Sequence, residues 1–156
     1  MRDIDLTSLM QDLYDSMDYF AHVESEGVMD FEKDYHNVAK DPDGNVRELL
    51  KEREDSLSSI KEVTTFIDNL QPDRILDIGC GPGWLLSYLS TEWNKNGIEI
   101  SEFASHHAGK YGNIHNGTLN DYSFDGDKFD IIIMYHVIEH LVDPIEALKK
   151  IKDMLS

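Results

Sequence analysis

The residues of this chain best suited to chemistry fall into two clusters and one outlier. The first cluster is Asp77-Ile78-Gly79-Cys80-Gly81-Pro82-Gly83, a carboxylate followed by three glycines at alternate positions. Glycine is needed where backbone turns with positive φ or lies against a ligand with no side chain between them, so this stretch reads as a loop that holds a ligand. The outlier is Glu99, twenty residues beyond Gly79, where nucleotide-binding α/β units place a carboxylate for ribose hydroxyls. The second cluster is His136-Val137-Ile138-Glu139-His140. Two imidazoles and a carboxylate so close together can serve as a general base or as metal ligands. The spacing also matches the H-x-x-E-H of certain zinc proteases. That reading is rejected, because such a site needs a long helix and a distant third ligand, whereas this motif directly follows a strand-like run.

The elements that must position these groups read as an alternating α/β chain. Ile75, Leu76 and Ile78 make a short buried strand before the glycine loop, with Asp77 at its carboxyl end, the ligand edge of an open parallel sheet. Trp84 to Ser90 predicts a short helix, and Gly97-Ile98-Glu99-Ile100 a second strand. Asn96-Gly97 could instead be a hairpin turn, but Glu92 to Lys95 are poor strand formers, which disfavours a hairpin. Ser101 is expected to cap a helix running to about Lys110, and Ile114 marks a third strand. Phe129 to Met134 is apolar and β-branched, as in a strand buried on both faces. Asp143 and Pro144 open a last helix whose stripe is Ile145, Leu148, Ile151 and Leu155.

Upstream, Leu6, Leu9, Met10, Leu13, Met17 and Phe20 recur at helical spacing over Asp5–Phe20. This helix is expected either to pack on the core or to form a lid with Tyr14, Tyr19, Phe20, Phe31 and Tyr35. Residues 21–44 read as loop, ending in the turn signal Asp41-Pro42-Asp43-Gly44. Asn45 and Glu48 predict a capping box, and Val46, Leu49, Leu50, Leu57, Ile60, Thr64, Ile67 and Leu70 a helical stripe that stops at Pro72. The expected organisation is an N-terminal helical lid over 1–44 and a nucleotide-binding domain over 45–156.

The 156 residues suffice for one domain with a core. The formal charge of −17, from 31 acidic against 14 Lys and Arg residues, argues against nucleic acid and anionic membrane as partners and favours a small neutral or cationic ligand. The N-terminus lacks a signal-peptide core and no apolar run reaches spanning length, so a cytoplasmic protein is expected. Cys80, the single cysteine, reads as a small buried filler or a reactive thiol.

Taken in order, these stretches resemble the class I, Rossmann-like S-adenosylmethionine-dependent methyltransferases, small-molecule subgroup, from about Ile60 to the end. The resemblance rests on Ile75 to Gly83, Gly97 to Ser101, and Phe129-Asp130 through His136-Val137-Ile138-Glu139-His140 to Asp143-Pro144. It implies a mostly parallel sheet of visible order 3-2-1-4 with helices on both faces. It also implies S-adenosylmethionine as cofactor and S-adenosylhomocysteine as product. Gly79, Cys80, Gly81 and Gly83 would line the amino-acid end with Asp77 close by, Glu99 would accept from both ribose hydroxyls, and adenine would lie against Ile100 and Thr118-Leu119. Many relatives have an acidic residue where Thr118 stands. Dinucleotide dehydrogenases are the nearest competitor, but their third glycine would fall at Trp84.

In this frame His136, Glu139 and His140 are the candidate catalytic residues, as base or as orienters of the acceptor. The segment is also similar to the E-x-x-E-H metal constellation of ubiquinone-biosynthesis and small-RNA 2′-O-methyltransferases, with His in place of the first Glu. A divalent metal is therefore considered but not favoured over a hydrogen-bonded His140. The implied activity is methyl transfer to a small-molecule acceptor, and the rival is a cofactor-binding or degenerate module that serves as an interaction surface. Relatives continue past the last helix into a further strand, so the resemblance implies a truncated chain with its C-terminal strands missing. The fourth strand would then stand at an open edge that a second copy could cover.

Overall fold

The computed structural model describes residues 38–40, 46–70, 73–123, 126 and 128–156. The expected helix at 5–20, the lid aromatics and the turn signal at 41–44 lie outside them. The chain divides into two units, Met1–Ile60 and Lys61–Ser156.

In the first unit, β1 (Val38–Lys40) and β2 (Val46–Glu48) pair antiparallel, with Ala39 opposite Arg47. Val38 and Lys40 were expected in a loop, and Val46 and Glu48 in the first turn of a helix. Helix α1 instead begins after the ladder and runs Leu49–Asp68. Asn45 of the expected capping box lies outside the described residues, Glu48 ends β2, and β-branched Val46 suits a pleated strand at least as well as a helix.

In the second unit, four parallel strands stand in the order β5-β4-β3-β6. They are β3 (Arg74–Ile78), β4 (Asn94–Glu99), β5 (Asn113–Asn116) and β6 (Ile131–Ile133). Numbered from the glycine-loop strand, this is the expected 3-2-1-4. The connections carry α2 (Trp84–Tyr88) and α3 (Glu102–Ala108), and after β6 come a 3₁₀ turn at Ile138–His140 and α4 (Pro144–Met154). Ile75 through Ile78 are all buried, as a central strand requires. The Ser101 Oγ accepts from Ala104 N at 3.2 Å, and an Asp143 carboxylate oxygen from Glu146 N at 2.9 Å, so both expected N-caps form.

Strand β4 departs from expectation in its first half. Asn96 and Gly97 are not a turn; they lie mid-strand, opposite Leu76 and Asp77 on one side and Asn113 and Ile114 on the other. The buried Asn96 amide donates to Ile75 O at 3.3 Å and Asn94 O at 3.0 Å, which offsets the poor strand propensity of this stretch. Lys95 Nζ donates to Leu86 O and Leu89 O at 2.8 and 2.6 Å and so ends α2.

The core joins Leu76, Ile78, Ile98, Leu119 and Phe129 to Ala147, Ile151 and Met154 of α4. The buried face of α4 is therefore i, i+4, i+7 from Ala147, and of the expected stripe only Ile151 is in it. Ile145 and Leu148 are 63% and 43% exposed. The strand leading into β6 fixes this rotation: Phe129 N donates to Met154 O at 2.9 Å and Ser156 N to Phe129 O at 3.0 Å. Strand β6 is half-buried, not buried on both faces, because among the described residues β3 is its only neighbour.

A Cβ on Gly97 would meet Cys80 Sγ at 2.7 Å and Ile114 Cδ1 at 2.8 Å. Gly97→Ala should therefore overpack the sheet and lower stability by about 1–3 kcal/mol, measured as a shift of the urea midpoint at unchanged slope.

Candidate functional site

The glycine loop leaves β3 and turns back over β4. Gly79 N and Cys80 N both donate to Ile98 O, at 2.7 and 3.1 Å. Gly79, Gly81 and Gly83 all have positive φ, of 71°, 52° and 83°. Their surroundings differ, however. A Cβ on Gly79 would lie 2.5 Å from Val137 Cγ2, and one on Gly83 would lie 2.9 Å from Ala108 of α3. Only Gly81 would find nothing within 4 Å. Gly79 and Gly83 thus permit close packing, and Gly81 faces open space. The loop is further held by His107, whose Nδ1 lies 2.8 Å from Pro82 O. A carbonyl only accepts, so this nitrogen carries the proton.

Glu99 is buried at the end of β4 and bridges the loop to α3. One carboxylate oxygen accepts from Gly81 N and the other from Ser101 N, each at 2.8 Å. Asp77 is buried nearby, and among the described residues its carboxyl receives no hydrogen bond. Burial, then repulsion from Glu99, pushes its pKa up to about 8. Cys80 is also buried with its pKa pushed up, by burial first and then by Asp77 and Glu99. Burial and its place against Gly97 suit Cys80 to the filler role.

Across the carboxyl ends, Asn116 Nδ2 donates to Glu99 O and Ile100 O at 3.0 and 3.1 Å, tying β5 to β4. Ile100 and Thr118 are half-buried, while the Leu119 side chain belongs to the core. Thr118 donates through N and Oγ1 to Asp121 Oδ2 at 3.1 and 2.6 Å, and these bonds lower the Asp121 pKa. A carboxylate therefore reaches Thr118 from three residues downstream.

The second cluster meets the first through Val137, which packs on Gly79. His136 has φ of 56°, uncommon for a residue with a side chain. Its side chain is 74% exposed, its ring lies edge-on to Tyr135 at 4.4 Å, and its Nδ1 is 3.6 Å from Glu139 Oε1. The 3₁₀ turn begins after His136, so the single helical turn that would align His136, Glu139 and His140 does not form. Among the described residues no three His, Cys, Asp or Glu side chains are gathered as a metal would require. His107, Asn116, Asp121 and Val137 were not singled out from sequence. Their parts are backbone hydrogen bonds and one packing contact, for which residue type and spacing carry no signal.

The raised pKa of Asp77 has a defined sign in stability. Its contribution is fully present below the ordinary 3.8 and is lost as pH rises through about 8, because the folded chain then must ionise a buried carboxyl. Asp77→Asn should remove this slope and be more stable than wild type at pH 9 by at least about 1 kcal/mol, read from urea midpoints between pH 5 and 9.

A family model described as a methyltransferase domain matches residues 36–156. The ubiquinone biosynthesis O-methyltransferase of Parvibaculum lavamentivorans is 31% identical over 134 residues, 74% of this chain and 52% of that one. Its counterpart from Cereibacter sphaeroides (strain ATCC 17025 / ATH 2.4.3) is 27% identical over 91 residues, 53% of this chain and 37% of that one. The chain thus spans about half or less of these relatives. Among solved structures, the plantazolicin methyltransferase BpumL in complex with S-adenosylhomocysteine and a monoazolic desmethylPZN analog superposes with TM-score 0.58 at 29% identity, over 67% of this chain and 46% of that one. Magnesium protoporphyrin IX methyltransferase from Synechocystis PCC 6803, with bound S-adenosylmethionine, gives 0.66 at 16% identity over 100% of this chain and 74% of that one, a likeness of fold. With its glycine loop and the Glu99 carboxylate at the carboxyl edge of a parallel sheet, the chain belongs to the methyltransferase-domain family.

Proposed function

We propose that this chain binds S-adenosylmethionine across the carboxyl ends of β3, β4 and β5, and that the protein methylates a small-molecule acceptor. The observation that carries the reading is the junction of Gly81 and Glu99: a glycine open to space, whose N–H is locked to a buried carboxylate. The residues fit the cofactor. Asp77 is a buried acid with no hydrogen-bond donor among the described residues, suited to an ammonium or sulfonium cation, and Glu99 is a carboxylate acceptor for ribose hydroxyls. Gly79 and Gly83 shape the loop by packing, Cys80 supports it from beneath, and Ile100 and Thr118 offer half-buried surface for adenine. The Leu119 side chain supports that surface from the core.

The cofactor supplies an electrophilic methyl on a sulfonium. The protein's part is alignment, exclusion of water and acceptance of the acceptor's proton. His136 takes that proton, and Glu139, 3.6 Å from its Nδ1, stabilises the resulting imidazolium. His140 orients the acceptor from the adjoining turn. The strained φ of His136 is consistent with such a role. No described helix is long and apolar enough to cross a membrane, in keeping with action on a small molecule in the cytoplasm.

The second reading, a module that binds the cofactor without catalysis, is favoured by the exposure of His136 and Glu139. Calorimetric titration with S-adenosylhomocysteine should give saturable one-to-one binding; its absence overturns both readings, and binding without methyl transfer to any acceptor supports the second. Glu99→Ala should weaken that binding at least about tenfold, roughly 1.4 kcal/mol. Gly81→Val should abolish it in a chain that still folds. Association of two copies through the side of β6 that no described strand covers belongs to the same proposal, and a dilution-resistant monomer in light scattering would remove it.

A further inference from the structure

Lys150, on α4, donates its ammonium protons to three backbone carbonyls at once. The distances from Nζ are 2.6 Å to Leu119 O, 3.0 Å to Asn120 O and 2.9 Å to Tyr122 O. An ammonium has three donors, and each of these carbonyls takes one. In a chain of formal charge −17 a lysine would ordinarily find a carboxylate. Among the described residues no Asp or Glu lies within ion-pair distance of Lys150; its charge acts on Asp121 from farther off, and its protons go to the loop's carbonyls. That loop follows β5, at the ligand edge of the sheet.

The same segment is closed from within. Thr118 bonds Asp121, Tyr122 N donates to Thr118 O at 3.2 Å, and the Tyr122 ring lies edge-on to His115 at 5.4 Å. Leu119 anchors its base in the core. Surface loops are mobile by default, and carbonyls pointing toward water do not fix a conformation. Here a cation delivered from α4 collects three of them. The same helix begins at Pro144, soon after His140, so it joins the acceptor side of the site to the β5 loop.

We propose that Lys150 is a positioning residue for the nucleoside side of the cofactor site. By gathering the carbonyls of Leu119, Asn120 and Tyr122 it fixes the backbone from which Thr118 faces the ligand edge. The inference rests on the proposed cofactor site, and its test separates the two. Amide hydrogen exchange is followed in the unliganded full chain, and S-adenosylhomocysteine affinity by calorimetry, for wild type, Lys150→Met and Lys150→Arg. Lys150→Met should speed exchange at residues 118–122 while β3 and β4 keep their protection, and weaken S-adenosylhomocysteine about tenfold, as expected for loss of charge-assisted bonds. Lys150→Arg, which restores the charge and several donors, should recover most of both. Unchanged exchange at 118–122, or unchanged affinity with exchange increased, overturns the role of Lys150. A Lys150→Met chain that fails to fold, or loses protection throughout the sheet, also overturns it, since Lys150 would then hold the domain and not the loop. Wild type that binds no S-adenosylhomocysteine, with exchange at 118–122 still dependent on Lys150, overturns the cofactor reading and leaves a loop clamp of another ligand site.

Discussion

The hydrogen bonds from Gly81 N–H and Ser101 N–H to the buried Glu99 carboxylate organise the site. Taking a carboxylate out of water costs several kcal/mol, and bonds to a charged acceptor return about 1.5–3 kcal/mol each. Two such bonds make Glu99 the carboxylate equipped to hold a charge here. Asp77, buried beside it with no donor among the described residues, has its pKa pushed up to about 8, by burial first and then by Glu99. The same bonds fix shape, since they tie the glycine loop after β3 to the first turn of α3.

Around this strut the small residues have separate tasks. Gly97 lets the Cys80 side chain sit on β4, Gly83 lets α3 approach, and Gly79 lets Val137 bring the His136 segment onto the loop. Of the three loop glycines, Gly81 alone looks into open space. Two of the three alternate glycines thus also serve packing, and one leaves its position clear. The contact between Val137 and Gly79 also explains how two clusters more than fifty residues apart in sequence come to share one site.

Much of this was legible in the residues because its causes are local. A buried apolar strand, alternate glycines, a carboxylate twenty residues on, and Ser101 and Asp143 as N-caps each specify their own geometry, and together they fix the parallel order of the sheet. What escaped is set by tertiary neighbours. Asn94 to Gly97 make a strand only because β3 and β5 lie on either side and Asn96 finds carbonyls to bond. The face of α4 is chosen by the Phe129 to Met154 stitch, which no periodicity encodes. Leu119 reads like any loop leucine until the core takes it, and β1 and β2 are three-residue strands, too short to show alternation.

The central claim is that the Gly81–Glu99–Ser101 junction is the heart of a cofactor site. Backbone amide spectra recorded during titration with S-adenosylhomocysteine test it most directly. The Gly81, Ile100, Ser101 and Thr118 amides should shift together along one saturation curve, while Arg74 and Asn94, at the amino ends of β3 and β4, do not move. Shifts confined to residues away from the carboxyl edge of the sheet, or none at saturating ligand, would contradict it.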